Sequence, residues 1–303
     1  MELKTNGNLN REATVMTSFE MVKYHSKQYP QDIPLRIEEL AAHFDVETLA
    51  FSSLGRSLHT EYSFFKRDFK TKLIAKYQEL LSAQKGGIPQ LWKNEVWGFQ
   101  FAEFIIDLNG KTTEPVVIEV HPPFNDYTDM NGFISSFKVF EATIKEQYPD
   151  VEILIENRCG SLYRGGKFVI SKVKDIAALC DAIEQNGLSL KVAYDVPQIY
   201  TVHNAKTEEA YIKLLDDTKP LRSYIGGVHL WGKKPTGSGR LVAHSGDLNT
   251  YFSDSEIKNQ FLNVFASCFD DGVARKMVLE VNSGNEDMLS IISDLRSIGI
   301  QFV

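Results

Sequence analysis

Cysteine is scarce in this chain: Cys159, Cys180 and Cys268, with no CxxC spacing. So sparse and odd a set argues against a disulfide framework or a thiolate zinc site, and points to reduced thiols in a cytoplasmic protein. No stretch reaches the roughly 18 apolar residues of a membrane helix, so no span is expected. The opening MELKTNGNLNREATV lacks the apolar core of a signal peptide. Basic residues are in deficit, 33 Lys and Arg against 40 Asp and Glu, for a net charge of -7. That balance argues against non-specific nucleic-acid binding. No GxGxxG or GxxxxGKS/T follows any apolar stretch, which removes the usual nucleotide-binding loops. Short repeats and low-complexity tracts are also missing.

What is there is ordinary for a folded protein: 303 residues, 43% hydrophobic and 24% charged. Residues 1–11 are polar and read as a disordered or extended N-terminus, followed by one domain over 12–303. EATVMTS (12–18) and ETLAFSS (47–53) are weak strand candidates. PLRIEELAAHF (34–44) and the long segment 62–84 carry helical spacing, as do residues 97–109. From PVVIEVHPP onward the alternation is regular. Strands VEILIEN, SLKVAYD, YIGGVHLWG and KMVLEVN alternate with helices over 132–147, 173–186, 207–216, 255–269 and 286–297, and GIQFV closes the chain. Strands separated by helix-length segments imply parallel βα units. Eight such strands at roughly 30 residues per unit predict a (β/α)8 TIM barrel with extra N-terminal helices.

Active sites of such barrels lie at the C-terminal ends of the strands. There this sequence places Glu119 and His121, Glu156, Asp195, His229 and Glu280, each just after an apolar core. Spacings of 39, 34 and 51 residues separate Glu156, Asp195, His229 and Glu280, so each belongs to a successive strand. Glu119 and His121 share a face because strand side chains alternate. Any one of these carboxylates reads equally well as a helix cap; the series reads as a site. Carboxylates converging at one mouth repel unless a cation neutralises them. The mixed oxygen and nitrogen donors suit one divalent ion, with Mn²⁺ favoured over Mg²⁺, Co²⁺ or Zn²⁺.

The Glu, Asp, His, Glu series, with Ile155-Glu156-Asn157, resembles the xylose isomerase-like barrels. These include the tagatose and psicose 3-epimerases, the inosose dehydratases and the endonuclease IV (family 2 AP endonuclease) enzymes. The resemblance covers roughly residues 110–303. It implies a metal held by Glu156, Asp195, His229 and Glu280, and proton transfer by Glu156 and Glu280. It also implies a small carbohydrate-like substrate and a tendency to self-associate. Two departures stand out. Gln198 replaces a frequent histidine, and Val242 stands where the endonuclease pattern has the Asp of an Asp-x-His pair, His244 being kept. One metal is therefore expected rather than three. Gln198, Glu119, His121, His244 (with Asp247), Trp231 (or Phe124) and Lys233 are the substrate-contact candidates.

The leading expectation is a sugar isomerase or epimerase. Its alternatives are an AP endonuclease-like phosphodiesterase, a lyase or dehydratase, or a non-catalytic sugar-binding barrel. A nuclease would draw on Lys233, Lys234 and Arg240 in one loop and Arg158 and Arg164 in another. His25, His43, His59 and His203 lack partners at ligand spacing and read as core or surface residues. Cys159 has no activating base in its sequence neighbourhood and reads as structural. Gly237 and Gly239 suggest a loop able to close over substrate.

Overall fold

The computed structural model describes residues 17–160 and 167–303. Eight parallel strands form a closed ring: β1 (Ser18–Lys23), β2 (Ile37–Ala42), β3 (Gly55–Thr60), β4 (Val117–Val120), β5 (Glu152–Glu156), β6 (Lys191–Asp195), β7 (Ile225–Leu230) and β8 (Arg275–Leu279). Each pairs with the next, and β8 pairs back onto β1 with Met277 opposite Met21. Helices α1 (Glu95–Asn109), α2 (Met130–Gln147), α3 (Val173–Asn186), α4 (Val196–Val202), α5 (Glu208–Asp216), α6 (Ser255–Cys268) and α7 (Asn285–Ser297) follow the later strands. This is the (β/α)8 barrel expected from the strand spacing.

The first third of the ring departs from the sequence expectation. Residues 34–44, read as a helix, supply β2 instead. Ile37-Glu-Glu-Leu-Ala-Ala42 contains good helix formers, but six register pairs to β3 and two to β1 hold it extended. Tertiary pairing overrides a weak local preference here. Residues 47–53 form no strand; the strand comes at β3. Residues 62–84 hold a turn at Ile74–Lys76, a short helix at Gln78–Ser82 and, at Gln84, the start of a two-residue strand. The preceding loop is pinned through Glu61, whose carboxylate accepts from the Phe44 and Tyr62 amides and from Arg67. Most of the expected strand 12–18 lies outside the described residues, and β1 begins at Ser18. GIQFV is not the eighth stave. Gln301–Phe302 (β9) pairs with Ser18 and Phe19, the part of the β1 edge that β2 leaves free.

Two apolar layers result. The main core lies between ring and helices, and its densest part is aromatic: Trp92 and Trp97 contact Phe101, Phe133, Phe137 and Phe140 across α1 and α2. Gly98 permits that approach, since a Cβ there would sit 2.2 Å from the Ser136 carbonyl oxygen. Inside the ring two small clusters, Val22, Tyr24, Ile37 and Val278, and Val117, Leu154 and Ala193, form a plug. Gly226 and Gly227 make room for it: a Cβ would come within 2.7 and 3.0 Å of the Leu154 side chain. Towards the N-terminal ends of the strands, Lys276 pairs with Glu152 and Glu20 at 3.1 and 3.5 Å. At the other end the inward positions turn polar, and the site begins.

Candidate metal centre and active site

The alternation that buries the plug brings the next inward residue of each strand to one level. These are Glu39 on β2, His59 on β3, Glu119 on β4, Glu156 on β5, Asp195 on β6 and His229 on β7, with His121 just past β4 and Glu280 just past β8. His59 is the register partner of Glu119, and Asp195 of His229. Single donor atoms of Glu156, Asp195 and His229 lie within 4.8 Å of one another. Those of His59, Glu119, His121 and Glu156 do the same, so Glu156 belongs to both groups.

The contacts within this layer are specific. His121 Nε2 lies 3.0 Å from Glu156 Oε2, while its Nδ1 faces the Glu61 carbonyl oxygen at 3.1 Å. His229 Nε2 is 3.1 Å from Glu119 Oε2 and its Nδ1 is 3.4 Å from Glu280 Oε1. His244 Nδ1 approaches Glu280 Oε2 at 3.1 Å. Arg158 donates to both Glu156 oxygens at 3.1 and 3.3 Å. Gln198 Nε2 donates to Glu156 and, at 3.0 Å, to Asp195 Oδ2, which Trp231 Nε1 also reaches at 3.0 Å. Asn157 ties the neighbouring strand ends together, donating to the Asp195 carbonyl and accepting from its amide.

Asp195 plays both of the parts open to it. Its Oδ1 caps α4 by accepting from the Gln198 amide at 3.0 Å, while its Oδ2 faces the polar layer.

Four atoms of the layer are buried without an aligned hydrogen-bond partner: Glu119 Oε1, His121 Nε2, His229 Nδ1 and Glu280 Oε2. His121 and Glu156 are close enough to bond but are not aligned to do so. Such orphaned groups are costly in a protein interior. Converging oxygen and nitrogen lone pairs, without sulfur, are what a hard or borderline divalent cation requires. The donor set therefore fits a metal.

Electrostatics follow from crowding. Burial would raise the Glu156 carboxyl, but Arg158 and His121 outweigh it and hold it well below the usual carboxylate range. Burial likewise opposes ionisation of Glu280, and His229 with His244 overcome it. For Asp195 burial, then the charges of Glu156 and Glu280, outweigh His229 and His244 and push it up to about 7. Glu39 rises for the same reasons, through burial and the charges of Glu280 and Glu119. Burial lowers His59, whereas for His229 the charges of Glu119 and Glu280 outweigh burial and raise it.

A cavity of about 550 Å³ opens above the layer. Its wall includes Glu39, His59, Tyr62, Arg158, Gln198, Trp231, Lys233, His244 and Glu280. Trp231 and His244 stack with centroids 4.2 Å apart, and His244 holds a left-handed backbone at φ 52°. Such a conformation is uncommon for a residue other than glycine.

Of the substrate-contact candidates, Gln198, Trp231, Lys233 and His244 reach this cavity. Glu119 and His121 do not. They are buried within the donor layer beneath it and do not line its wall. Phe124 is fully buried against Phe168. Asp247 caps the turn at Leu248–Thr250 and accepts from Ser290 rather than meeting His244. His59 and His43 belong to the site region, their rings linked at 3.5 Å. The sequence spacing hides this, and Glu39 with it, because β2 carries helix formers and is held extended only by its pairing on both edges. His25 also lines the cavity, whereas His203 lies on another surface hollow, near Ala210 and Asp217.

The basic set that a nuclease would need is not gathered. Arg158 is spent on Glu156, Lys234 pairs with Asp287 at 2.6 Å, and Arg164 lies outside the described residues. Burial pushes the Cys159 thiol up to about 11, which fits an inert residue. Gly237 and Gly239 occupy the turn of a hairpin pairing Lys233–Pro235 with Leu241–Ala243 over the mouth.

No family model matches the chain, and no curated protein matches it in sequence. Solved structures with a similar course include a D-tagatose 3-epimerase-like protein, 11% identical, covering 92% of this chain and 98% of that one at a TM-score of 0.46. A family 2 AP endonuclease from Brucella melitensis is 10% identical, covering 92% and 99% at 0.47. A 2,3-dimethylmalate lyase is 13% identical, covering 73% and 64% at 0.36. The barrel stands on its own strand pairing, and the functional case on the site's own geometry. No helix among the described residues is long and apolar enough to cross a membrane.

Proposed function

We propose that the chain is a divalent-metal-dependent isomerase or epimerase acting on a small polyhydroxy carbonyl compound. The observation that carries this reading is the convergence of Glu156, Asp195 and His229 on one point, with Glu280 beside His229 at the cavity surface. Those four side chains would hold the ion, Mn²⁺ suiting a carboxylate-rich set best. A bound ion would supply Lewis-acid polarisation of a substrate carbonyl and its neighbouring hydroxyl.

The protein's own groups do the rest. Glu280 faces the cavity and is steadied by His229 and His244, so it is placed to take a proton from a substrate carbon or return one. Glu156 serves the opposite side, held ionised by Arg158. Gln198 fixes the Glu156 and Asp195 carboxylates relative to each other. The Trp231–His244 stack offers a flat wall to a carbon chain.

A second reading is favoured by one observation. The group His59, Glu119, His121 and Glu156 shares Glu156 with the first, a layout suited to two ions and phosphoester hydrolysis. Incubation with Mn²⁺ separates the readings, using ketohexoses, inososes and an abasic-site duplex as substrates. Epimerised sugar without strand scission supports the first reading. Salt-sensitive scission supports the second. Binding of sugar with no turnover removes the enzymatic reading and leaves a sugar-binding barrel.

A further inference from the structure

Two lysines stand side by side after β7, and the structure treats them differently. Lys234 points away from the cavity and is neutralised by Asp287 at 2.6 Å. Lys233 faces into it and forms no ion pair among the described residues. Its ammonium lies 6.0 Å from the Trp231 ring centre and 5.8 Å from that of Tyr251, and donates to the Thr201 hydroxyl at 3.4 Å. Its backbone is fixed: the carbonyl accepts from Thr250, and Gly246 packs so closely that a Cβ would meet the Lys233 carbonyl oxygen at 2.7 Å. A half-buried ammonium without a counter-charge costs desolvation that two ring faces and one hydroxyl offset only in part. Across the same cavity Arg158 is already paired with Glu156. Lys233 is thus the cavity-wall cation with no ion pair among the described residues.

From this geometry we infer that the substrate carries an oxyanion, a phosphate ester or carboxylate, whose charge is received by Lys233 with the Thr201 hydroxyl beside it. The inference rests on the reading of the cavity as a polyhydroxy-compound site and narrows it to acidic compounds. Aromatic faces on either side would hold the lysine's stem in place while its head pairs with the anion. Burial lowers the Lys233 ammonium from its ordinary range, so anion binding would weaken as pH rises towards that lowered value.

The test is calorimetric titration with inorganic phosphate, a neutral ketohexose, its phosphate ester and the corresponding uronic acid. Wild-type protein is compared with Lys233→Met and Lys233→Arg. An acidic sugar is expected to bind about tenfold or more tightly than the neutral one, as a charge-assisted hydrogen bond contributes. Lys233→Met removes that margin, read as the ratio of acidic-sugar to neutral-sugar affinity within each variant; Lys233→Arg restores most of it. Preference for the phosphate ester or for the uronic acid names the oxyanion. Equal affinity for neutral and acidic sugars overturns the inference, as does a margin that survives in Lys233→Met. The phosphate titration needs no sugar. Phosphate binding that depends on Lys233, with no sugar bound at all, therefore sinks the isomerase reading while sparing the anion site.

Discussion

His121 Nε2 and Glu156 Oε2 lie 3.0 Å apart, both fully buried, yet they are not aligned as a hydrogen bond. The other ring nitrogen of His121 is anchored on the Glu61 carbonyl, so the imidazole is held from behind and aimed at the carboxylate. Two lone-pair groups brought this close with no hydrogen bond aligned between them are an arrangement that a shared cation would relieve.

Glu156 sits where both donor groups overlap, so it is the most informative position. Glu156→Gln keeps the shape and removes the charge. Turnover is expected to fall by about 10² to 10⁴, the range for a lost acid–base group. Cys159→Ala, three residues past Glu156 on the cavity wall but with a neutral thiol, leaves turnover nearly intact. Steady-state kinetics on both variants check this; a Glu156→Gln enzyme at full rate removes that residue from the chemistry.

Metal affinity carries a pH signature. The Asp195 carboxyl is pushed up to about 7, and His229 is also raised, so both hold protons in the metal-free protein near neutrality. A cation must displace those protons. Affinity therefore rises as pH climbs from about 5 through 7, as Asp195 ionises, and goes on rising above neutrality until His229 has lost its proton too. Titration calorimetry in buffers of different ionisation enthalpy reads the released protons. An affinity constant across that range contradicts the assigned ligands.

Stability at the far end of the barrel rests on Arg275. It is 1% exposed and donates to the Ile225, Val273 and Arg222 carbonyls and to both Asp271 oxygens. Hydrogen bonds from Arg275 lead burial in setting the Asp271 carboxyl, which is lowered to about 2. A lowered carboxyl stabilises above its unfolded value and loses that contribution as pH falls through the folded one. Asp271→Asn should cost about 1.5–3 kcal/mol at pH 6. The gap from wild type closes as pH drops from about 4 to about 2. Denaturant unfolding at several pH values measures it.

Gly98→Ala sets two effects against each other. Alanine is the better helix former by up to about 1 kcal/mol. Its Cβ, however, would stand 2.2 Å from a backbone oxygen of α2, which cannot swing aside as a side chain can. Overpacking of that kind costs about 1–3 kcal/mol, so the clash wins and the variant melts lower. A Gly98→Ala protein more stable than wild type would show that α1 and α2 are less tightly packed than described.

The sequence displayed the barrel from β4 onward because each strand there is a short apolar run, ended by a polar residue and followed by a well-spaced helix. It hid β2 and β3. Ile37–Ala42 is built from helix formers, and only its pairing on both edges, a non-local effect, keeps it extended. With those strands misplaced, Glu39 and His59 had no visible partners. Strand-end spacing picked out Glu156, Asp195, His229 and Glu280 because one unit per residue is a local pattern. The depth of Glu119 and His121 was not legible, since it depends on strand register around the ring. The pairing of Lys234 with Asp287 was hidden for a related reason: the partners are 53 positions apart.

Metal content tests the central claim most directly. Protein purified without chelator and analysed by elemental mass spectrometry should carry at least one divalent ion per chain. That ion is lost in Glu156→Gln and His229→Ala. Restoring it at a hundredfold excess over Kd should add about 2.7 kcal/mol to the unfolding free energy. Wild-type protein that holds no divalent metal, and that melts at the same temperature with or without added Mn²⁺, Mg²⁺, Co²⁺ or Zn²⁺, contradicts the account.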